Sequence, residues 1–254
     1  MAYEPQVPYA ITQFEIDVLI PIELFGMSVG FTNSSLAMVT TVILLGTYTA
    51  LALKDRQFLP NRLQSSIEIV YEQISGIVLK TAGPEAKSAI PLFFTLFVFV
   101  LFGSLFGLAP YKFTFTSHFI VTLSLAFFVF AYVNVIGFRK HGLALFGLFL
   151  PSGTPGYLVP LIVLVEVISY LFRPITLGFR IFANILAGHI MIKLFIDLSL
   201  MMSDALGFVG MALSIFNMAF VCVLLVFEMA IFAIQSYIFV LLSSLYLKDT
   251  LSLH

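Results

Sequence analysis

The amino-acid sequence predicts an all-α polytopic integral membrane protein, a single membrane domain over residues 1–254 that closes in a hairpin of two long, steeply inclined helices. Three observations carry this. Hydrophobic residues make up 61 % of the chain and charged residues 10 %, where soluble domains hold about half and a quarter. Mean hydropathy is +1.10. Several apolar runs exceed the ~20 residues a helix needs to cross the hydrocarbon, and none shows the short alternating segments of a membrane barrel. Finally, Arg180 lies deep inside one such run, where an arginine costs from roughly 3 to more than 10 kcal/mol and normally faces protein or water.

Met1 to Asn33 contains Glu4, Glu15, Asp17 and Glu23 but no base, and the first span, 34–53, is followed by Lys54, Arg56 and Arg62. Positive charge stays inside, so the N-terminus is expected on the outer, proton-rich (P) side and the opposite face is the N side. No positive region precedes an apolar core, so no cleavable targeting peptide is expected. Over 61–82, Ile67, Val70, Tyr71, Ile74, Ile77 and Val78 recur at helical spacing against Glu68, Glu72, Gln73 and Lys80. Such a helix either lies amphipathically on the N-side surface or is an ordinary half-buried one. Span 91–109 returns to the P side, where the turn carries only Lys112, and 118–138 crosses back to Arg139-Lys140-His141.

Residues 142–156 are apolar but broken by Pro151, Gly153, Pro155 and Gly156, which reads as a re-entrant or interfacial connection. Runs 157–197 and 205–247 then form the hairpin, turning on the P side near Asp197 and Asp204 and leaving Lys248 on the N side. A helix of some 40 residues spans roughly 60 Å, about twice the hydrocarbon thickness. It must be steeply inclined, kinked at Pro174, or partly outside the lipid. With no Trp present, Tyr111, Tyr157 and Tyr246 are the candidate interface anchors. The net charge of −1 argues against nucleic acid, and the single cysteine, Cys222, can build neither a disulfide nor a metal site alone. No cofactor or metal is expected.

Within the hairpin, Glu166, Arg173 and Arg180 are seven residues apart and line one stripe. His189 is nine past Arg180, about 180° round the helix. On the returning helix Glu228 and Gln235 are again seven apart, with Asn217 eleven before Glu228 on nearly the same face. In an antiparallel pair Gln235 can approach Arg180 or Glu166, while Asn217 and Glu228 approach His189. Groups of this kind suit proton movement, since His and Glu titrate near neutrality once burial and neighbours shift them. A carboxylate brought to about 4 Å from Arg180 would gain roughly 4 kcal/mol at an effective dielectric near 20. Small residues Gly178, Ala183, Ala187 and Gly188 would let a partner helix come close. Structural readings stand beside these: Arg173 can snorkel to the interface, Lys193 can anchor there, and Arg180 can pair with Glu166 or Glu228. His118 and His141 sit at span ends, with His118 able to border a P-side cavity.

The run Arg173-Pro174-Ile175-Thr176-Leu177-Gly178-Phe179-Arg180-Ile181-Phe182-Ala183-Asn184-Ile185-Leu186-Ala187-Gly188-His189 resembles the signature of subunit a of rotary F-type ATP synthases. Gln13-Phe14-Glu15-Ile16, Thr116-Ser117-His118 and the stretch from Glu228 to Gln235 resemble other segments of that family. The resemblance implies a proton-translocating stator with two offset half-channels beside a proteolipid c-ring. Arg180 would be the residue separating them, Asn184, His189, Glu228 and Gln235 members of the P-side path or its junction, and Glu166 a member of the N-side path. It further implies peripheral-stalk and other Fo subunits and membrane lipids as partners, with the F1 catalytic sector indirectly coupled. The chain would not be catalytic by itself, and no Gly-rich phosphate loop is present. A mitochondrial inner membrane is the implied location, an alphaproteobacterial plasma membrane the alternative. The competing reading is a self-contained secondary transporter using Arg180 to bind an anion, although the halves before and after Gly156 show no internal similarity. A purely structural membrane anchor is a third.

Overall fold

The computed structural model describes residues 14–21, 23–24, 27–28, 30–54, 60–108, 113–149, 158–205 and 207–252. The expectations resting on Glu4, Gln13, Arg56, Tyr111, Lys112, Tyr157 and the 151–156 Pro/Gly stretch lie outside the described residues. What is described is almost wholly helical: α1 Asn33–Leu53, α2 Arg62–Ala82, α3 Ile90–Gly107, α4 Phe119–His141, α5 Val159–Ala205 and α6 Gly207–Leu251. Five helical stretches among the described residues are long and apolar enough to cross a membrane, all but α2, which establishes an all-α polytopic membrane fold. Two small antiparallel ribbons precede α1. In one, β1 (Val18–Ile20) pairs with β4 (Phe31–Thr32); in the other, β2 (Glu23–Leu24) pairs with β3 (Met27–Ser28). Nothing in the residue pattern had suggested them.

Helix α1 starts where the Thr32 side chain accepts from the Ser35 amide at 3.3 Å, an N-cap. It is tied to α2 by a 2.6 Å hydrogen bond between Tyr48 and Ser66 hydroxyls. Along α2, Ile74 and Val78 are buried, with Val70 and Ile77 packed behind them, while Glu68, Glu72, Gln73 and Lys80 are exposed. Its apolar face is therefore spent on α3 and α6. A 3-10 turn, Pro84–Ala89, leads into α3.

The second half of α6 is the central pillar. Phe232, Phe239, Val240, Leu247 and Leu251 join Ile74 and Val78 of α2, Phe93 and Val100 of α3, Val129 and Val133 of α4, and Leu177, Ile181 and Ile185 of α5 in one core. Ser236, Ser243 and Ser244 on this segment are fully buried, and each donates its hydroxyl back to the carbonyl four residues earlier. Small side chains satisfied in this way let neighbouring helices approach closely. The opening turns of α6 are the opposite case, with Phe208, Ile215 and Phe216 exposed.

Helix α4 ends with Arg139, Lys140 and His141 in its last turn, where basic side chains complement the negative end of the helix dipole, and at Gly142, whose φ of 55° few other residues adopt. Lys140 pairs with Glu85, and both Lys140 and His141 donate to the Leu251 carbonyl, at 3.0 and 3.1 Å. The end of α6 is thereby fastened to α4.

Helix α5 runs continuously for 47 residues through the buried Pro174. One detail departs from expectation. The expected turn at 198–204 is helix instead: α5 continues to Ala205 and α6 begins at Gly207, whose φ is 56°. Ser203 donates to the Leu200 carbonyl at 2.7 Å, so its hydroxyl is satisfied within the helix and does not break it.

Gly178 is where α5 meets α4. A Cβ there would stand 2.9 Å from Leu123 Cα and 3.1 Å from both the Leu123 nitrogen and the Thr122 carbonyl oxygen, backbone atoms that cannot rotate away. Gly178→Val is expected to force the two helices apart at about 1–3 kcal/mol, the usual cost of overpacking. Reduced accumulation of the membrane-inserted chain, with Gly178→Ala milder than Val, is the result that would bear this out.

Candidate functional site

The register of the hairpin is set by two contacts between α5 and α6. The Glu228 carboxyl occupies the space that a side chain at residue 188 would fill: a Cβ on Gly188 would collide with Glu228 Oε1 and lie 2.9 Å from Cδ. Nearer the turn, the Asn217 amide donates at 2.7 Å to both the Phe195 carbonyl and the Ser199 hydroxyl. Moving from Gly188 toward Arg180, and from Glu228 by the same rise, brings Gln235 and Ser236 level with the arginine. Rise along the helix separates Arg180 from Gly188 by roughly 12 Å.

Glu228 is 2 % exposed and neither carboxyl oxygen has a hydrogen-bond partner among the described residues. Both carboxyl oxygens are therefore open to a hydrogen bond from water or another donor. His189, the residue after Gly188, is buried, with its Nε2 3.3 Å from the Thr114 hydroxyl. Its ring meets Phe14 edge-on at 6.5 Å and Phe232 at 5.8 Å. Thr114 is positioned in turn by Gly107, whose missing side chain makes room for it. Beyond lie Thr116, buried, and His118, half-buried; Thr116 Oγ1 and His118 Nε2 have no hydrogen-bond partner among the described residues, and the His118 ring stacks on Phe113 at 5.1 Å.

Arg180 is exposed and makes no hydrogen bond or ion pair with any described residue. The structural pairing with Glu166 or Glu228 considered above does not occur within the chain. Asn184, one turn on, is half-buried, and Ala187 is exposed. Gln235 is buried and its Oε1 has no partner among the described residues. Of the small residues expected to admit an outside helix, Gly178 and Gly188 are consumed internally, by α4 and by Glu228. Ala183 and Ala187 alone retain that possibility.

At the α6 C-terminal end a third group forms. Arg173 Nη1 donates to Asp249 Oδ2 at 2.8 Å, while Arg173 Nη2 stands 4.0 Å from Glu166 Oε1. The guanidinium carbon lies 5.2 Å from the Tyr170 ring centre and 5.3 Å from that of Tyr246. The Tyr170 hydroxyl donates to Asn134 Oδ1 at 2.7 Å. Arg173 is thus bound between aromatic faces and an acid instead of reaching freely for the interface, and Tyr246 serves that cage.

The site residues picked from the sequence therefore divide. Glu228 and His189 flank Gly188 on one side of α5, Gln235 and Arg180 share a level, and Glu166 joins Arg173. Asn217 does not reach His189; its amide is committed to the helix crossing six and ten residues further along α5. Four participants were missed: Thr114, Asn134, Tyr170 and Asp249. The one with a visible signal is Asp249, an acid ending an otherwise apolar run beside Lys248.

Residues 34–248 match the family model described as ATP synthase A chain. The chain is also 45 % identical over 241 residues, 95 % of its length and 96 % of the relative's, to ATP synthase subunit a of Chelativorans sp. (strain BNC1). The family-model match runs across α5 and all of α6 but its last three residues, and on these two matches this chain belongs to the ATP synthase A chain family.

Proposed function

We propose that the chain is the proton-translocating stator subunit of a rotary ATP synthase, with α5 and α6 applied to a ring of carboxylate-bearing proteolipids. The observation that carries this reading is a contrast across α5: Arg180 is exposed and unpaired among the described residues, while His189, and Glu228 of α6, are buried on the other flank. An exposed arginine in a membrane helix is tolerable only against a partner or water, and a ring carboxylate at about 4 Å would supply roughly 4 kcal/mol at a dielectric near 20. Thr114, His118, His189, Glu228 and Asn184 serve the P-side path, Asn217 holds the hairpin crossing that frames it, and Gln235 is the junction with Arg180. Glu166, with Arg173 as accessory, serves the N-side path. Arg180 stands between, and a ring carboxyl passing it gives up its proton on one side and regains one on the other.

The membrane potential, about 2.3 kcal/mol per charge per 100 mV, is the energy source. Peripheral-stalk and other Fo subunits, lipid along the exposed apolar faces, and indirectly the F1 sector complete the assembly. Two energy-coupling membranes suit the chain: the mitochondrial inner membrane, implied by its N-terminal resemblance, and a bacterial plasma membrane, favoured by the alphaproteobacterial relative. The deciding test is ATP-driven acidification of vesicles carrying the intact complex, with Arg180 against Arg180→Ala at equal assembly. Unchanged pumping in the variant would return Arg180 to packing and overturn the reading.

A further inference from the structure

Arg173 stands between two carboxylates and is shared unequally: Asp249 of α6 takes a direct 2.8 Å bond, while Glu166 of its own helix remains at 4.0 Å. The inequality is built by α6. Tyr170 and Tyr246 sandwich the guanidinium, and Tyr170 is itself fixed by Asn134 of α4. The other charged groups at this end are otherwise occupied or turned away: Lys140 is bound to Glu85 and the Leu251 carbonyl, His141 to the same carbonyl, and Lys248 is exposed. Asp249 is therefore the acid that holds Arg173 away from Glu166. All three side chains are only partly buried, at 21 % exposure for Arg173, 34 % for Glu166 and 40 % for Asp249, so the group is open at the surface of the chain.

A planar guanidinium forms closed, two-pronged pairs with carboxylates readily, and a carboxylate so held exchanges protons poorly with its surroundings. Glu166 lies seven residues before Arg173, at two turns' distance, where such a pair is sterically available. We propose that Asp249 is a positioning residue of the N-side proton path: by binding Arg173 against α6 it keeps Glu166 out of a closed ion pair and free to exchange protons with the aqueous face. This deepens the proton-path reading given above and rests on it. Asp249 touches neither ring nor proton; it acts through Arg173. Neutralising it should turn the guanidinium onto Glu166 and slow conduction, and removing the guanidinium as well should relieve the block.

The test uses the intact complex in membrane vesicles at equal assembly, following ATP-driven acidification and passive proton conduction after removal of F1. Asp249→Asn is expected to lower both by about fivefold or more, the scale on which a displaced transfer group acts. Asp249→Glu should stay within about twofold of the parent, and the double variant Asp249→Asn/Arg173→Gln should recover to about half or better. A merely structural salt bridge can also recover when both partners are lost, since a lone charge costs more than a missing pair, but it changes the amount of assembled complex and leaves conduction per assembled complex as in the parent. If Asp249→Asn pumps like the parent, or if the double variant is as impaired as the single, the proposal is overturned. Should Asp249→Asn fail to assemble while the double variant assembles normally, the pair is structural and the proposal is overturned. Arg180→Ala in the same series separates the two levels. If it pumps normally, the proton path itself is wrong; if it is dead while the Asp249 variants are normal, the positioning role alone fails.

Discussion

Arg180→Ala should reduce ATP-driven acidification by roughly a hundredfold or more, the scale on which a single electrostatic group aimed at a developing charge commonly acts. Passive proton leak through the complex should be equal to or above that of the parent. The two halves of this expectation have one origin. An exposed arginine with no internal ion pair has its field available to whatever carboxyl comes alongside. Removing it takes away the attraction that holds a passing carboxylate ionised, and also the positive barrier that keeps a proton from crossing directly between the two paths. Lysine is not an equivalent replacement, because a compact ammonium neither forks nor tolerates the low-dielectric surface as a guanidinium does. Arg180→Lys should therefore remain strongly impaired. A packing role predicts the reverse pattern, with poor assembly and little change in pumping per assembled complex.

Gly188→Ala should lower proton pumping by about tenfold to a hundredfold while the chain still assembles, because a side-chain atom at that position falls on the Glu228 carboxyl. The obstacle is the end of a flexible side chain and not backbone, so the carboxyl moves and the hairpin stays closed. That distinguishes Gly188 from Gly178, where the obstruction is the α4 backbone and stability suffers instead. Shortening the acid by one methylene should make room, so Gly188→Ala/Glu228→Asp is expected to pump better than Gly188→Ala alone. Acidification of vesicles at matched subunit content reads both. Equal activity of Gly188→Ala and the parent would show that the position of the Glu228 carboxyl is immaterial to proton movement.

The hairpin illustrates how far residue order alone reaches. Seven-residue spacing placed Glu166 with Arg173, and nine-residue spacing set His189 on the flank opposite Arg180, because helical period converts sequence distance into angle without knowledge of neighbours. The same arithmetic could not say which acid Arg173 would choose. Glu166 shares its helix, yet Asp249, 76 residues away, makes the shorter bond. Asn217 shows the converse error: it lies close to the Glu228 face in angle, but the antiparallel register sets it beside Phe195 and Ser199. The turn was misplaced for a related reason, since polar residues near Asp197 and Asp204 read as a loop although helix continues to Ala205.

Composition, run length and the period of polar residues determined by themselves that this chain is a helical membrane protein with an arginine-centred hairpin, since hydrocarbon admits few other backbones and burial of charge is costly. Only the tertiary structure decided which polar groups meet. It buried Glu228 behind a glycine, left Arg180 facing outward and gave Arg173 to Asp249, because such contacts depend on the register and crossing of helices that are remote in sequence.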